Sequence, residues 1–470
     1  MWEPSLGLTA FEWTERVFTL YVGAINSLYL LLMLLGHFTL RRSEQRLGAV
    51  DHETLDRSPL LPGICVLAPA FNEERVVRES VRSMLALRHP SHEVIVVNDG
   101  STDGTLAALI EEFHLYRSSR TPTGTLSTAP IRGVYESADP IPLVVIDKAN
   151  GGSKADALNA GVNFARLPLI AAVDCDSLLE PDALVAVARP FLEDLDGTVA
   201  AGGIVRVVNG CTVEGGRVTR VAAARRLLPR LQAVEYLRAF LGGRVAFSLL
   251  DSLLIVSGAF GVFRRDSVVR CGGFSTATVG EDMELVLRLH QDRDAGGRRR
   301  RVVFVSEPVC WTQVPETLRS LRSQRRRWQR GAIESLMQHR RLCSPRFGLL
   351  GCFGIPFFVL FETLGPIIEL AGLALTVAGL LAGLVRPSIA LEFFVACQLF
   401  GIVLSVGAVL LEESTERRYP TVRDVRLLIA AAGIEGFGYR QLTAWWRIEG
   451  LIDYFRGRPG WTPIERIGFS

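Results

Sequence analysis

Two acids two residues apart, Asp174 and Asp176, close the apolar run Ile170-Ala171-Ala172-Val173. An apolar run that stops at acids reads as a buried parallel strand leaving the core at a site. If the strand geometry continues, its period of two puts both carboxylates on one side. Such a pair suits a divalent cation carrying a phosphate, and that cation neutralises charge as the phosphate leaves. Alone the pattern is weak, because an acid-rich surface turn looks the same. Residues of matching chemistry recur along the chain. Asp99 ends the run Glu93–Val97 inside Asn98-Asp99-Gly100-Ser101. Lys154 follows Asn150-Gly151-Gly152-Ser153 on the same rim and can meet a phosphate. Asp282, after Gly280-Glu281, stands at a helix start and can take a proton from an attacking hydroxyl. Arg327 can hold a leaving diphosphate, and Trp328 offers an apolar face to a sugar ring. The chemistry described is group transfer from a nucleoside diphosphate to an alcohol.

These residues need a scaffold of strands and helices in alternation. Ile64–Ala68 reads as a strand, and Asn72 as the N-cap of a helix with Glu73 and Glu74 in its first turn. Glu93–Val97, Leu143–Ile146 and Leu169–Val173 are further strands, and helices follow Gly104 and Ser153. That alternation is a parallel α/β unit, with its ligand site at the strands' C-terminal ends. Asp103 reads as a helix cap. Residues 117–140, rich in Ser, Thr, Pro and Gly, read as an insertion loop without a role. Val199–Val208 and Val302–Val305 are additional strands. Leu231–Leu250 is a partly amphipathic helix that either lies on a membrane surface or packs on the core. Ser257-Gly258-Ala259 has small residues that let a ligand approach the backbone. Arg298–Arg301 reads as a solvated hairpin or charge run, and residues 317–340 as a strongly basic helix.

The 470 residues exceed one ordinary domain, and mean hydropathy is +0.26. Val17–Leu40, 24 residues without Asp, Glu, Lys or Arg, is long enough to span a bilayer. Arg41, Arg42 and Arg46 follow, so the positive-inside rule puts the chain beyond Leu40 in the cytoplasm. Residues 347–385 read as a span preceded by a re-entrant or interfacial helix, or as a hairpin of two. Ile389–Leu411 is another span, and Leu427–Trp446 a last span or an interfacial helix. Glu362, Glu369, Glu435 and Arg440 either line a polar path or pack at the membrane surface. Trp445 and Trp446 read as interface anchors. A net charge of +3 gives no reason to expect nucleic acid as a partner. Eight scattered Cys without a C-x-x-C pair speak against structural zinc and a disulfide scaffold.

Five stretches now stand in order: Pro69-Ala70-Phe71-Asn72-Glu73, Asn98-Asp99-Gly100-Ser101-x-Asp103, Asp174-x-Asp176, Gly280-Glu281-Asp282 and Gln324-x-x-Arg327-Trp328. Together they resemble the membrane-integrated inverting family 2 glycosyltransferases, the group of cellulose, hyaluronan and poly-N-acetylglucosamine synthases. The resemblance implies an α/β fold, a GT-A-like, Rossmann-type mixed sheet flanked by transmembrane helices. It implies a UDP-sugar donor, Mg2+ or Mn2+ on Asp176, and Asp99 and Asp174 at the uridine part. Pro69, Asn72, Glu73, Lys154 and Gly258 join the donor side. Asp282 becomes the base of an inverting transfer, and Gln324, Arg327 and Trp328 hold acceptor and diphosphate. The expected divisions are a membrane helix with basic flank (1–46), a tether (47–61), the cytoplasmic transferase domain (62–316), basic interfacial helices (317–346), a C-terminal membrane region (347–446) and a basic tail (447–470).

Two departures from the family pattern stand out. Gly280 replaces the usual Thr before Glu-Asp, and Glu284-Leu285 stands where an Asp-Leu pair is usual. No cyclic-dinucleotide-binding module follows the spans. The resemblance implies a bacterial inner-membrane, multi-pass synthase that extends a polysaccharide and passes it outward, with a possible export-partner subunit. The alternative is addition of one sugar to a lipid-linked or polyprenyl-phosphate acceptor. A third class is a nucleotide-binding subunit of a transporter or receptor, which intact Asp174, Asp176 and Asp282 disfavour.

Overall fold

The computed structural model describes residues 4–47, 60–294, 296–415 and 417–457. A long helix, α1 (Pro4–Leu47), precedes the transferase-like body. That body opens with β1 (Ile64–Ala70), α2 (Val77–Leu85), β2 (His92–Asp99), α3 (Thr105–Glu112), β3 (Leu115–Arg117), β4 (Ile131–Ser137) and β5 (Leu143–Lys148). It continues with α4 (Lys154–Phe164), β6 (Leu169–Val173), β7 (Ser177–Leu179), α5 (Ala183–Glu193), β8 (Thr198–Val207) and a hairpin of β9 (Thr212–Glu214) and β10 (Arg217–Arg220). Then come α6 (Leu227–Leu237), β11 (Phe260–Arg264), α7 (Glu281–Leu289), β12 (Arg301–Thr312) and α8 (Leu318–Gln338). Four helices complete it: α9 (Gly365–Leu381), α10 (Pro387–Thr415), α11 (Val422–Ile434) and α12 (Tyr439–Phe455).

Ten strands form one mixed sheet in the order β3-β4-β5-β2-β1-β6-β11-β8-β12-β7, and β9 and β10 pair apart from it. Its centre, β5-β2-β1-β6, is parallel, and β11 enters antiparallel between β6 and β8. These central strands carry apolar residues on both faces because both are covered. Val66, Val94 and Val96 meet Val81 and Met84 of α2, while Leu67, Ile95 and Ile146 meet Leu158 and Val162 of α4. The period of two sends alternate residues to opposite layers, so a run such as Val94–Val97 is buried throughout. The parallel strands thus end on one rim, where Asp99 pairs in register with Lys148.

Several expectations change. Residues 117–140 hold no idle loop. β4 pairs antiparallel with β5, and Arg120 at the start of the segment pairs with Glu93 at 2.6 Å, closing the sheet edge. Asn72 is not a helix cap. Its φ is +58°, α2 starts only at Val77, and its Oδ1 accepts from Thr102 N at 2.8 Å. The strand expected at Val302–Val305 extends to Thr312 because β7 and β8 flank it. The helix from Leu227 runs on through a π-helical turn, Arg238–Arg244, into Val245–Leu249. This turn packs on α1: a Cβ on Gly36 would lie 2.7 Å from Leu241 O.

Among the described residues, two helices are long and apolar enough to cross a membrane, Arg16–Arg42 and Pro387–Thr415. A third crossing exists if Leu350–Thr363 and Gly365–Leu381, bent by 44°, form one span. Leu427–Trp446 is no span. The chain breaks at Gly438 (φ +92°), and α12 lies along α8 instead. Arg322–Glu449 (2.8 Å) and Arg326–Asp453 (2.5 Å) consume its charges there. Trp446 is correspondingly buried in the body, whereas Trp445 is exposed. Most of the tether and the tail with Trp461 and Arg466 lie outside the described residues.

Candidate active site

The site starts where β6 stops. Its last ladder pair is Val173 with Phe260, and the chain then turns, Ser177 N donating to Asp174 O at 3.0 Å. The acid pair therefore sits on a turn, not on a continuing strand. The backbone reversal separates the two acids: Asp176 is buried and Asp174 is half-buried. Cys175 between them is buried, and its carbonyl accepts from Ser80 Oγ of α2.

Lys154 reaches the pair from the first turn of α4, whose N-cap Ser153 accepts from Asp156 N. Its ammonium lies 2.5 Å from Asp174 Oδ1, donates to Gly258 O at 2.8 Å, and stands 3.8 Å from Glu281 Oε1. Burial disfavours the Lys154 charge, but Asp174 and Glu281 outweigh it and hold the pKa above the ordinary lysine value. Glu281 is pushed up to about 7, by burial first and then by Asp282 and Asp174, with Lys154 opposing.

Asp282 stands in the first turn of α7, where the helix N-terminus favours a carboxylate. Its Oδ2 accepts from Gly258 N at 2.9 Å, and a Cβ on Gly258 would come within 3.1 Å of that oxygen. Glycine at 258 thus lets the backbone just before β11 meet the acid directly. A second close approach brings α8 in. A Cβ on Gly280 would lie 3.0 Å from the Gly331 backbone, so α7 and α8 touch main chain to main chain. That contact accounts for glycine where the family usually has Thr. Glu284, the other departure, is wholly buried and paired with Arg288 (2.6 Å) and His339 (2.8 Å), a structural role away from the site.

The first two loops are tied together across the rim. Glu73 N donates to Thr105 Oγ1 at 2.9 Å and Glu74 N to Asp103 Oδ2 at 3.3 Å. Asp103 also accepts from Thr105 N at 3.0 Å, although the N-cap of α3 is Gly104 and not Asp103 as expected. Asp99 is buried and accepts from Lys148 Nζ (2.5 Å) and Gly151 N (3.0 Å). Lys148, fully buried, also holds Asp156 at 2.5 Å. It was missed in the sequence; the one signal is a lysine closing the apolar strand Leu143–Lys148.

All twelve residues singled out for the site line one cavity of about 1380 Å³. Pro69, Asn72, Glu73, Asp99, Lys154, Asp174, Asp176 and Gly258 lie on its sheet side with Asp282; Gln324, Arg327 and Trp328 come from α8. The buried Gln324 Oε1 accepts no hydrogen bond among the described residues. Trp328 is 44% exposed, with Arg325 on its ring at 4.6 Å and Tyr236 at 6.4 Å between centroids. The same cavity continues to Phe18 and Tyr21 of α1, Leu373 of α9 and Phe393 of α10. Glu369 and Arg440, paired at 3.1 Å, line it there. Glu362 pairs with Arg447 at 3.4 Å, and Glu435 with Arg238 at 2.7 Å.

No group of three or more His, Cys, Asp or Glu among the described residues forms a protein cage for a metal. The rim offers one or two carboxylates, Asp176 and Asp174. That donor set fits a hard cation whose other ligands are substrate phosphates and water.

A mixed sheet with an acid-lined rim at its parallel strand ends is a GT-A-like glycosyltransferase fold. The mannosyltransferase PcManGT of Pyrobaculum calidifontis, solved with GDP-Man and Mn2+, has the same fold. It aligns over 94% of this chain and 100% of its own, with a TM-score of 0.50 at 16% identity. Two family models match, "Glycosyl transferase family 2" over residues 65–272 and "Glycosyl transferase family group 2" over 169–402. Residues 65–402 thus carry family 2 glycosyltransferase domains. Poly-beta-1,6-N-acetyl-D-glucosamine synthase of Staphylococcus aureus is 26% identical over 278 residues, 59% of this chain. Its Staphylococcus epidermidis counterpart is 26% identical over 279 residues. Each match spans 56% of the relative's length, little more than half.

Proposed function

We propose that the chain is an inverting membrane glycosyltransferase that moves a sugar from a UDP-sugar to a growing polysaccharide, with the transferase domain on the cytoplasmic side. The observation that carries this reading is the single cavity running from the acid rim to the space between α1, α9 and α10. A product made at Asp282 has a continuous way into the helical region. The names of the staphylococcal relatives make UDP-N-acetylglucosamine the first donor to try.

In the proposed reaction the Asp282 carboxylate takes the proton of an acceptor hydroxyl. The freed oxygen attacks the anomeric carbon, the bond to the diphosphate breaks, and UDP leaves with the electron pair. Gly258 N–H orients the base through Oδ2. Asp99 and Asp174 hold the nucleoside, Lys154 holds Asp174 in place at 2.5 Å, and Arg327 binds the leaving diphosphate. Gln324 and Trp328 seat the acceptor sugar. Asp176 would hold Mg2+ or Mn2+, which when bound supplies positive charge against the leaving diphosphate.

Membranes carrying the chain, incubated with labelled UDP-sugars and Mg2+ or Mn2+, test the reading by product size. Long polymer is expected. A single sugar on extractable lipid would instead support the lipid-acceptor alternative. Asp282→Asn should abolish transfer yet leave UDP binding within about threefold, because the base touches the acceptor. Collapse of UDP affinity would remove the assignment. Asp176→Asn should weaken metal-dependent donor binding, and unchanged metal dependence would contradict its role.

A further inference from the structure

Seven arginines line the cavity. Five of them hold a carboxylate, as Arg325 holds Glu235 at 2.7 Å. The other two, Arg327 and Arg244, make no ion pair and no hydrogen bond among the described residues. Arg327 already has a place in the proposed reaction. Arg244 has none.

Arg244 closes the π-helical turn that follows α6. Its guanidinium lies over the Phe240 ring at 3.9 Å, and Phe240 packs on Tyr236 at 6.0 Å between centroids. Tyr236 in turn meets Trp328. The aromatic row thus leads from Trp328, midway along α8, to a cation that lies over the Phe240 ring and lines the cavity. Stacking fixes the plane of a guanidinium and leaves its donor edge for a ligand. Burial pushes the group down to about 10, with the charges of Asp282 and Tyr236 pulling the other way. A half-buried cation without a bound acid is costly to keep. An anion delivered by a ligand removes that cost.

Resting on the transfer reaction above, we propose that Arg244 binds a phosphoryl oxygen beside Asp282, as a second anion-binding residue of the site. A planar guanidinium matches phosphate with paired hydrogen bonds. The phosphoryl group belongs either to the leaving diphosphate of the donor or to a lipid-linked acceptor.

The test uses the full chain in lipid nanodiscs, with UDP, UMP and polyprenyl phosphate as probes in calorimetric titrations. Arg244→Gln is expected to fold, since Arg244 supports no other polar group. If the donor supplies the phosphoryl group, R244Q should raise the UDP Kd on the order of tenfold and leave UMP, which lacks the second phosphate, unchanged. If the acceptor supplies it, UDP is unchanged and polyprenyl phosphate binding weakens by a similar factor. Wild-type affinity for both ligands in R244Q overturns the proposal. Should R244Q fail to fold, Arg244→Lys serves, because an ammonium cannot reproduce the paired contacts. R244K should then lose about threefold on one of the two ligands, and loss on neither overturns the proposal. A wild-type chain that binds no UDP would instead remove the transfer reading itself.

Discussion

Lys148 is the residue on which the proposed nucleoside end of the site depends. It is fully buried between Asp99 and Asp156, each at 2.5 Å. Removing the charge leaves two carboxylates facing each other in a dry place. Lys148→Met should therefore cost about 3–5 kcal/mol of stability and abolish UDP binding, read by the unfolding midpoint and by titration. A stable variant with unchanged UDP affinity would show that Asp99 needs no support. The acids of the site were legible in the sequence because each ends an apolar run or opens a helix. Lys148 was not, since its meaning lies in a contact with Asp99, 49 positions earlier, and Arg244 was not, since only the fold brings it to the cavity. Asn72 was misread for a related reason. An Asn before two Glu looks like a cap, but its left-handed backbone and its bond to Thr102 belong to a loop-to-loop tie.

At the level of elements, the contact of α7 with α8 sets the distance between the proposed base and the proposed acceptor residues. Both helices present glycine at the crossing, Gly280 and Gly331, and a Cβ on Gly331 would lie 2.9 Å from the Gly280 main chain. Gly331→Ala forces the helices apart and should cost about 1–3 kcal/mol. It should lower kcat more than it raises the donor KM, because α8 carries Gln324, Arg327 and Trp328 while the proposed donor residues stay on the sheet. Equal effects on both parameters would contradict this division. Elsewhere His89, in the loop between α2 and β2, and His92, the first residue of β2, are both pushed down chiefly by burial, His89 to about 4. The unfolded chain binds protons on these groups near pH 6.5 and the folded chain does not. Stability should accordingly be full above pH 6.5 and fall as pH drops toward 4. His89→Gln should flatten that fall in unfolding midpoints taken across the range. The parallel unit itself was readable from strand and helix periods. The edge strand β4 was hidden by the polar composition around it, and the break at Gly438 was hidden because an apolar count does not register where charges find partners.

At the level of the molecule, the body is fastened to the helical region by buried charge as well as apolar packing. Arg206 of β8 and Glu412 at the end of α10 are 2% and 1% exposed and form a two-pronged pair, with the Nη2–Oε2 contact at 2.8 Å. Trp311 lies against the guanidinium at 6.0 Å. The sequence could mark α10 as apolar and long, yet nothing in spacing linked its terminal acid to a strand 206 positions earlier. Breaking such a pair from one side strands a charge in the interior. Glu412→Gln should thus cost about 3–5 kcal/mol, seen as a lowered unfolding midpoint in detergent. Replacing both partners, as Arg206→Met with Glu412→Leu, removes the stranded charge and should return stability to within about 1 kcal/mol of the parent. The double variant also separates two roles for the pair. If it regains stability and transfers sugar at the parent rate, the contact serves only to hold the parts together. If it regains stability but makes shorter product, the directional pair also keeps the cavity at Asp282 aligned with its continuation between α1, α9 and α10, which apolar packing alone does not fix.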